Sequence, residues 1–275
     1  MTFLPPARRF DWNNLGVRVL SAVVLIPAVL AAVWFGGPFF LVLLAVAVAL
    51  LAIEWGTMTA PSAPIRVSFA VAVAVLAGVF TVHTGEITLG WAVASAGALA
   101  AAVVARGVSE RPSDAALGVI YIGIPALCLI WLHRTNQGAY WTMMLLAITW
   151  SADIAAYAVG NALKGPKLWP RFSPNKTWSG FIGGLVAAML TGALMAALPY
   201  FKLNLAAAAI VGLAGGLATM AGDLWESVLK RRFGVKDSGD LIPGHGGLLD
   251  RVDGLLFAVV VIAGARLVNY LGWGH

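Results

Sequence analysis

The amino-acid sequence predicts an all-α integral membrane protein, a polytopic bundle of about nine transmembrane helices. Of its 275 residues, 60% are hydrophobic and only 11% are charged, whereas soluble domains carry roughly a quarter charged residues. The apolar residues form long runs, and a bilayer core about 30 Å thick needs about 20 such residues per helix. Strands are excluded from these runs because an open sheet would leave backbone groups unpaired in lipid.

Nine apolar runs are close to the length that crosses a bilayer. The first two are separated only by a Gly-Gly-Pro break, which makes this division the weakest of the series. No linker is long enough to separate two soluble domains, so we expect one membrane-embedded domain over residues 1–275. The runs are 17–36, 38–53, 65–83, 87–106, 115–133, 138–161, 177–198, 203–225 and 253–273.

The basic residues indicate how the bundle is oriented. With nine spans and a cytosolic N-terminus, 15 of the 18 Lys and Arg residues fall on the cytosolic side, leaving Arg134, Lys202 and Arg266. This asymmetry is what the positive-inside rule requires. The first run could be a cleavable signal, but it is too long and lacks a cleavage site, so we expect a retained helix. The sequence therefore predicts a multi-pass protein of the cell inner membrane with its C-terminus outside.

Charge and cysteine content exclude other classes of protein. The formal net charge is +6, but the basic residues lie in short segments between apolar runs. They form no separate basic domain, so we expect no nucleic-acid partner. Cys128 is the only cysteine, which excludes an intrachain disulfide and a cysteine metal cluster.

Polar chemistry is concentrated in residues 227–253, which hold five of the 18 Lys and Arg and four of the 12 Asp and Glu residues. Lys and Arg neutralise phosphate oxygens, carboxylates are the usual protein ligands of Mg²⁺, and Gly246 and Gly247 let backbone amides approach a ligand. A solvated basic loop that anchors two helices is the alternative. We expect two cytosolic active-site segments, residues 162–177 and 226–253.

Acidic residues near or within apolar runs are further candidates, because ionisable groups in lipid are unfavourable unless they have a function. Asp153 lies inside the sixth run, where pairing with a lysine of a neighbouring helix is the alternative. Asp223 closes the eighth run, and Glu226 could pair with Lys230 at i+4.

Asp250 and Asp253 begin the ninth run at i, i+3 spacing. Stabilisation of a helix dipole alone would also favour acids there. We expect Asp223, Asp250 and Asp253 to converge on one cation from two helices.

The loop before the seventh run contains Ser173, Lys176 and Thr177, which could hold a phosphate at a helix opening. A helix cap with positive-inside charge is the alternative. His245 is the only histidine in a plausible site, where it would donate to phosphate or fix the turn.

These motifs together resemble the signature of the phosphatidate cytidylyltransferases (CDP-diacylglycerol synthases), and the resemblance covers the C-terminal half of the chain. It departs from the family pattern at Asn161, Asn175 and Ser179. The matching signature positions are Ser227, Leu229, Lys230, Arg231, Lys236, Asp237, Pro243, His245, Gly246, Gly247, Asp250, Arg251 and Asp253. Further matches are Ala152, Asp153, Ala156, Tyr157, Gly160, Ser173, Pro174, Lys176, Thr177, Gly222, Asp223, Leu224 and Glu226.

The resemblance implies an enzyme of phospholipid synthesis that joins CTP to phosphatidic acid, giving CDP-diacylglycerol and pyrophosphate. It implies Mg²⁺, with a second cation left open, and a homodimer among membrane lipids. The expected metal ligands are Asp223, Asp250 and Asp253. The catalytic set adds Lys236, Asp237 and Arg251, where Asp237 is a further ligand or supports a lysine. The expected substrate-binding residues are Asp153, Ser173, Lys176, Thr177, Lys230, Arg231, His245, Gly246 and Gly247.

Three other functions fit parts of the sequence. A CTP-dependent polyprenol or phytol kinase would use similar groups but would transfer the terminal phosphate. A CDP-alcohol phosphotransferase would require a spaced DG, AR, G, D and D pattern that the chain lacks. A transporter would suit nine spans and Asp153, but it would not need the dense motif of residues 227–253.

Overall fold

Nine α-helices and one short β-hairpin make up the residues that the computed structural model describes, which are 12–107, 111–201, 203–239, 241 and 246–271. The helices are α1 (Trp12–Phe35), α2 (Gly37–Thr59), α3 (Pro64–His83), α4 (Ile87–Val104), α5 (Ser113–Arg134), α6 (Gly138–Leu163), α7 (Trp178–Ala196), α8 (Leu205–Arg232) and α9 (Leu249–Tyr270). The strands are β1 (Lys167–Trp169) and β2 (Ser173–Thr177).

The helices confirm the predicted all-α polytopic bundle. Helices α2 to α9 are each long and apolar enough to cross a membrane, and α1 contributes the shorter apolar stretch Val19–Phe35. Large apolar side chains project outward from the bundle, among them Phe69 and Leu194. An apolar surface of this kind is stable only in contact with lipid, because water would penalise it.

Three features differ from the elements predicted from the sequence. Helix α8 continues seven residues past the predicted end of its run, so Glu226 and Lys230 lie on a helix and not in a loop. Helix α9 begins at Leu249, four residues early. Strands β1 and β2 form an antiparallel hairpin that pairs Lys167 with Thr177. The hairpin satisfies its own backbone groups in the connection between α6 and α7.

The buried side chains form two cores. One lies mainly among α2, α3, α4 and α5, around residues such as Trp55 and Leu127. The other lies mainly among α6, α7, α8 and α9, around residues such as Trp141 and Ile148. Helices α5 and α9 pack together and join the two halves. The polar segments after α6 and α8 therefore lie on the second half, with the first half packed against α9.

Candidate active site

A cavity of about 920 Å³ opens between α6, the β-hairpin, α7, α8 and α9. Apolar residues such as Phe181 and Met220 form part of its wall. Four acids and four bases also line it: Asp153, Asp223, Asp250, Asp253, Lys164, Lys167, Lys176 and Arg251. Because charged side chains in a membrane bundle are rare and usually functional, this cavity is the candidate active site.

The β-hairpin places Lys176 beside helix α8. Lys176 lies next to Thr177, the last residue of β2, and its ammonium forms an ion pair with Asp223. Thr177 is also the N-cap of α7, because its Oγ1 accepts a hydrogen bond of 3.2 Å from the backbone N–H of Gly180. Thr177 is thus a helix cap that also lines the cavity. Ser173 lies at the other end of β2, opposite Trp169, and is not part of the cavity wall.

Lys230 lies between two carboxylates. Its Nζ is 2.8 Å from Glu226 Oε2 on the same helix and 2.6 Å from Asp250 Oδ1 on α9. The predicted i, i+4 alternative for Glu226 is therefore correct. Glu226 is almost fully buried, and its second oxygen, Oε1, accepts no hydrogen bond from the described residues. In this arrangement Lys230 joins α8 to α9 and does not line the cavity.

A close crossing of α8 and α9 sets Asp223 and Asp253 side by side. A Cβ added to Gly222 would collide with the carbonyl oxygen of Asp253, and it would lie 3.0 Å from the Cα of Gly254. Only glycine permits this approach. Asp253 Oδ1 accepts a 2.7 Å hydrogen bond from the N–H of Gly254. The two acids lie close enough for their charges to interact.

Asp250 lies in the first turn of α9 and is held from two directions. Oδ1 accepts from Lys230, and Oδ2 accepts a 3.2 Å hydrogen bond from the backbone N–H of Ser238. Gly247 packs against this contact, since an added Cβ would meet Ser238 Oγ and would lie 3.1 Å from Asp250 Oδ2. Gly246 has a positive φ of 85°, which glycine adopts without strain. These two glycines shape the turn that leads into α9.

The acids suit Mg²⁺ chemically, but in the structure their side chains are not grouped around one point. Asp223, Asp250 and Asp253 all line one cavity, yet no group of three or more Asp, Glu, His or Cys side chains among the described residues is placed to hold a metal. Asp223 and Asp250 contact lysines instead. Mg²⁺ is usually held by one or two carboxylates with substrate phosphates and water. The donor set fits that mode, and the predicted three-carboxylate site stays a prediction.

Several predicted site residues lie away from the cavity wall. Lys236 and Asp237 are exposed in the segment after α8, and neither lines the cavity. Arg231 is also exposed, and its Nη1 donates to the carbonyl oxygen of Val235 at 3.4 Å. His245 lies outside the described residues. The structure thus brings Asp153, Lys176, Thr177, Asp223, Asp250, Arg251 and Asp253 together at one cavity and leaves the other predicted residues that it describes off the cavity wall.

Two sets of residues at or near the site were not predicted individually from the sequence. Lys164 and Lys167 line the cavity; both fall in the predicted active-site segment 162–177, but neither was predicted individually as a site residue. Glu54 is buried on α2 and contacts the start of α9. Its signal was available, because it is a carboxylate in an otherwise apolar run, ALLAIEWGTM, and such residues are functional candidates.

This arrangement can bind phosphates beside a membrane. Lys176 and Arg251 supply positive charge to the cavity wall, and the four aspartates supply oxygen ligands. Acids and bases around one cavity suit a substrate whose phosphates bind both a cation and basic side chains. The apolar part of the wall suits a substrate that carries hydrocarbon.

Comparisons with known proteins give a consistent result. Residues 16–268 match the model of the family described as "Cytidylyltransferase family". A protein of Brucella suis biovar 1 (strain 1330), named "Phosphatidate cytidylyltransferase", is 40% identical over 255 residues, which cover 91% of this chain and 92% of the relative. A Rickettsia felis protein of the same name is 30% identical over 259 residues, 92% of each chain. A third, from Rickettsia bellii, is 31% identical over 257 residues, 91% of this chain and 90% of the relative.

Proposed function

The chain belongs to the cytidylyltransferase family, and we propose that the cavity between α6 and α9 is the active site in which it joins CTP to phosphatidate. The product is CDP-diacylglycerol, and pyrophosphate is released. The observation that carries this assignment is a cavity lined by four acids and four bases in a largely apolar bundle. Every cavity residue of the catalytic set comes from the end of α8 or the beginning of α9.

The reaction is a substitution at the alpha phosphorus of CTP. A phosphate oxygen of phosphatidate forms the new P–O bond, and the bond between the alpha phosphorus and its bridging oxygen to the beta phosphate breaks. The nucleophile is already anionic near neutral pH, so it needs no strong general base. The barrier falls when the phosphates are neutralised and held in line.

The charged side chains divide into two roles. We assign Asp223, Asp250 and Asp253 to a cation, proposed to be Mg²⁺, which when bound neutralises charge on the triphosphate. Lys176 and Arg251 bind phosphate oxygens from the cavity wall. We assign the same role at the periphery to three further bases, namely Lys230, Arg231 and Lys236.

The lipid substrate reaches this cavity from the bilayer. Tyr157 lines the cavity and is 78% exposed, and its neighbour Ile154 is 69% exposed on the same helix. Both side chains therefore face lipid at the border of the cavity. Phe181 and Met220 continue the apolar wall inward. A diacyl substrate can keep its chains in lipid while its phosphate enters the charged region.

We also propose that the cavity faces the cytosol, where CTP is available. The ends of α6 and α8 and the beginning of α9 border the cavity, and α2 reaches the same end because Glu54 contacts Leu248. Helices α2, α6 and α8 are even-numbered, so all three end on the side where the chain begins. The positive-inside count supports the cytosol for that side. The homodimer stays a prediction, which the mass of the protein in detergent would test.

Labelled CTP tests the reaction directly. The purified full chain is incubated with phosphatidate, Mg²⁺ and CTP labelled either at the alpha or at the gamma phosphate. We expect label from alpha-labelled CTP in the lipid product and label from gamma-labelled CTP in pyrophosphate. Transfer of the gamma label to lipid would instead identify a lipid kinase and would overturn the proposal.

A further inference from the structure

Glu54 is a carboxylate on α2, in the half of the chain that does not form the cavity. Its side chain is almost fully buried, with 2% of its surface exposed. It lines no part of the candidate active site. A buried carboxylate is unfavourable unless hydrogen bonds replace the water it has lost, so its partners show what it does.

The partners of Glu54 all belong to the segment that leads into α9. Oε1 accepts a hydrogen bond from the backbone N–H of Leu248 at 2.6 Å, and Oε2 accepts one from Leu249 at 2.7 Å. Oε2 also accepts from Ser238 Oγ at 3.3 Å. Each oxygen therefore holds a backbone amide at the beginning of α9.

This geometry is a helix cap supplied by a distant part of the chain. The first amides of a helix have no partner within the helix, and a negative charge near them is stabilised by the helix dipole. Leu248 itself provides no side-chain cap. Glu54 thus fixes where α9 starts, although about 195 residues separate it from Leu249.

The same contacts reach Asp250. Ser238 donates its Oγ to Glu54 and its backbone N–H to Asp250 Oδ2. Gly239 packs against Glu54, with an added Cβ only 3.2 Å from Glu54 Cγ. Glu54 therefore holds both the start of α9, which carries Asp250, and Ser238, which donates a hydrogen bond to Asp250.

We propose that Glu54 is a positioning residue for cytidylyl transfer, acting through Leu248, Leu249 and Ser238 to hold Asp250 toward the cavity. This inference rests on the proposed function of the cavity. It gives the N-terminal half of the bundle a specific part in the reaction. Glu54 does not line the cavity, so its effect on the rate passes through the start of α9 and first of all through Asp250.

The test is Glu54→Gln in the full chain, with Asp114→Asn as the matched control. Glutamine keeps the size of the side chain but turns an N–H₂ group toward one of the backbone donors. Asp114 is also a buried acid, but it pairs with Arg232 away from the cavity. For Glu54→Gln we expect kcat to fall about 10–100-fold, the range seen when supporting residues around a site are changed. KM for CTP should change little, and more Mg²⁺ should be needed for half-maximal rate.

Two further measurements separate positioning from general stability. Hydrogen exchange of the metal-free protein should accelerate in the peptide covering residues 246–254 for Glu54→Gln and not for Asp114→Asn. Thermal melting in detergent gives the folded fraction, so that kcat is expressed per folded molecule. Glu54→Asp keeps the charge and should recover part of the lost rate.

Wild-type kcat and Mg²⁺ dependence in folded Glu54→Gln would overturn the proposal, as would a loss of rate that merely follows the unfolded fraction. If Glu54→Gln does not fold, Ser238→Ala removes only one hydroxyl contact. We expect it to lower kcat about 2–10-fold, the effect of losing one intramolecular hydrogen bond, and unchanged kcat with unchanged exchange would also overturn the proposal. If the wild-type protein shows no cytidylyl transfer, the proposed function is rejected instead. Hydrogen exchange would then still show whether Glu54 stabilises the start of α9.

Discussion

The polar side chains at the cavity and those around Arg266 differ in how completely their hydrogen bonds are made. The cavity cluster contains Asp153, Lys176, Asp223, Glu226, Lys230, Asp250 and Asp253. The Arg266 cluster contains Thr135, Asn136, Trp141, Arg266 and Asn269. Sixteen residues of α9 separate Asp250 from Arg266, which is about 24 Å along a helix. The two clusters therefore lie toward opposite ends of the bundle.

The Arg266 cluster is closed. Arg266 donates Nη1 to Asn269 Oδ1 at 2.8 Å, Nη2 to the carbonyl oxygen of Asn136 at 2.7 Å, and Nε to Thr135 Oγ1 at 3.3 Å. Its guanidinium lies 5.2 Å from the ring centre of Trp141. A long basic side chain near the end of a membrane helix can reach the membrane surface or join helices. The structure shows that it joins α9 to the connection between α5 and α6.

The cavity cluster is open and rich in acids. Three of its five carboxylates form ion pairs with its two lysines, and Glu226 Oε1 has no hydrogen-bond partner among the described residues. A cluster of this kind attracts cations and still has oxygens available for them. In this bundle, the cluster in which Arg266 makes its hydrogen bonds joins helices, whereas the cluster that keeps an unpartnered carboxylate oxygen among the described residues lies at the cavity.

Among variants of the two clusters, Asp250→Asn should lower the rate of the reaction most. The amide keeps the size of the side chain but removes a charge that would hold the cation, so we expect kcat to fall about 10³-fold or more. Cytidylyl transfer by the purified variant at saturating Mg²⁺ measures this. Melting in detergent should stay near wild type, and wild-type turnover would refute the metal role of Asp250.

The sequence predicted the helices well because each one is a long apolar run. It missed the β-hairpin, since two short paired strands leave no clear periodicity in residues 167–177. It also ended α8 too early, because the basic residues after Trp225 resemble a loop. In the structure the Glu226–Lys230 pair continues the helix.

The candidate site was predictable only in part. Asp223, Asp250 and Asp253 line one cavity, as their spacing suggested. The lysine partners of Asp223 and Asp250, however, could not be predicted, because they depend on how separate elements pack in three dimensions. The contact between Glu54 and Leu248 joins residues 194 positions apart, and no local pattern in a single sequence reveals such a pair.

Lys176→Met should have the next largest effect. The variant loses one positive charge beside the triphosphate and leaves Asp223 without its ion-pair partner. We expect kcat/KM for CTP to fall about 10–100-fold, because charge-assisted contacts contribute ~1.5–3 kcal/mol each. Steady-state kinetics with varied CTP measures it.

Arg66→Met is the matched control for Lys176→Met, since Arg66 is an exposed base at the start of α3, away from the cavity. It should leave kcat/KM unchanged. Equal losses in the two variants would mean that net charge, and not the position of Lys176, controls the rate.

Lys236→Ala should have a small effect. Its side chain is exposed outside the cavity wall, and an exposed charge contributes ~0.2–1 kcal/mol, which corresponds to a rise of about 1.4–5-fold in KM for CTP or phosphatidate. Lys236→Arg keeps the charge and should restore the wild-type KM. Kinetics unaltered for both substrates would remove Lys236 from the proposed phosphate-binding set.

Arg266→Met should have the smallest effect on the reaction and should lower stability instead. Methionine keeps much of the side-chain volume, but it removes the three hydrogen bonds that Arg266 donates to Thr135, Asn136 and Asn269. Each buried group left unpaired costs about 1–3 kcal/mol, although hydrogen bonds in membrane bundles average nearer ~0.6 kcal/mol. We expect a lower melting temperature in detergent and wild-type kcat per folded molecule. The exposed Arg134 lies at the same end of the bundle, and Arg134→Met should change neither quantity. A fall in kcat of folded Arg266→Met would show that the closed cluster also takes part in the reaction, and the distinction between the two clusters would then fail.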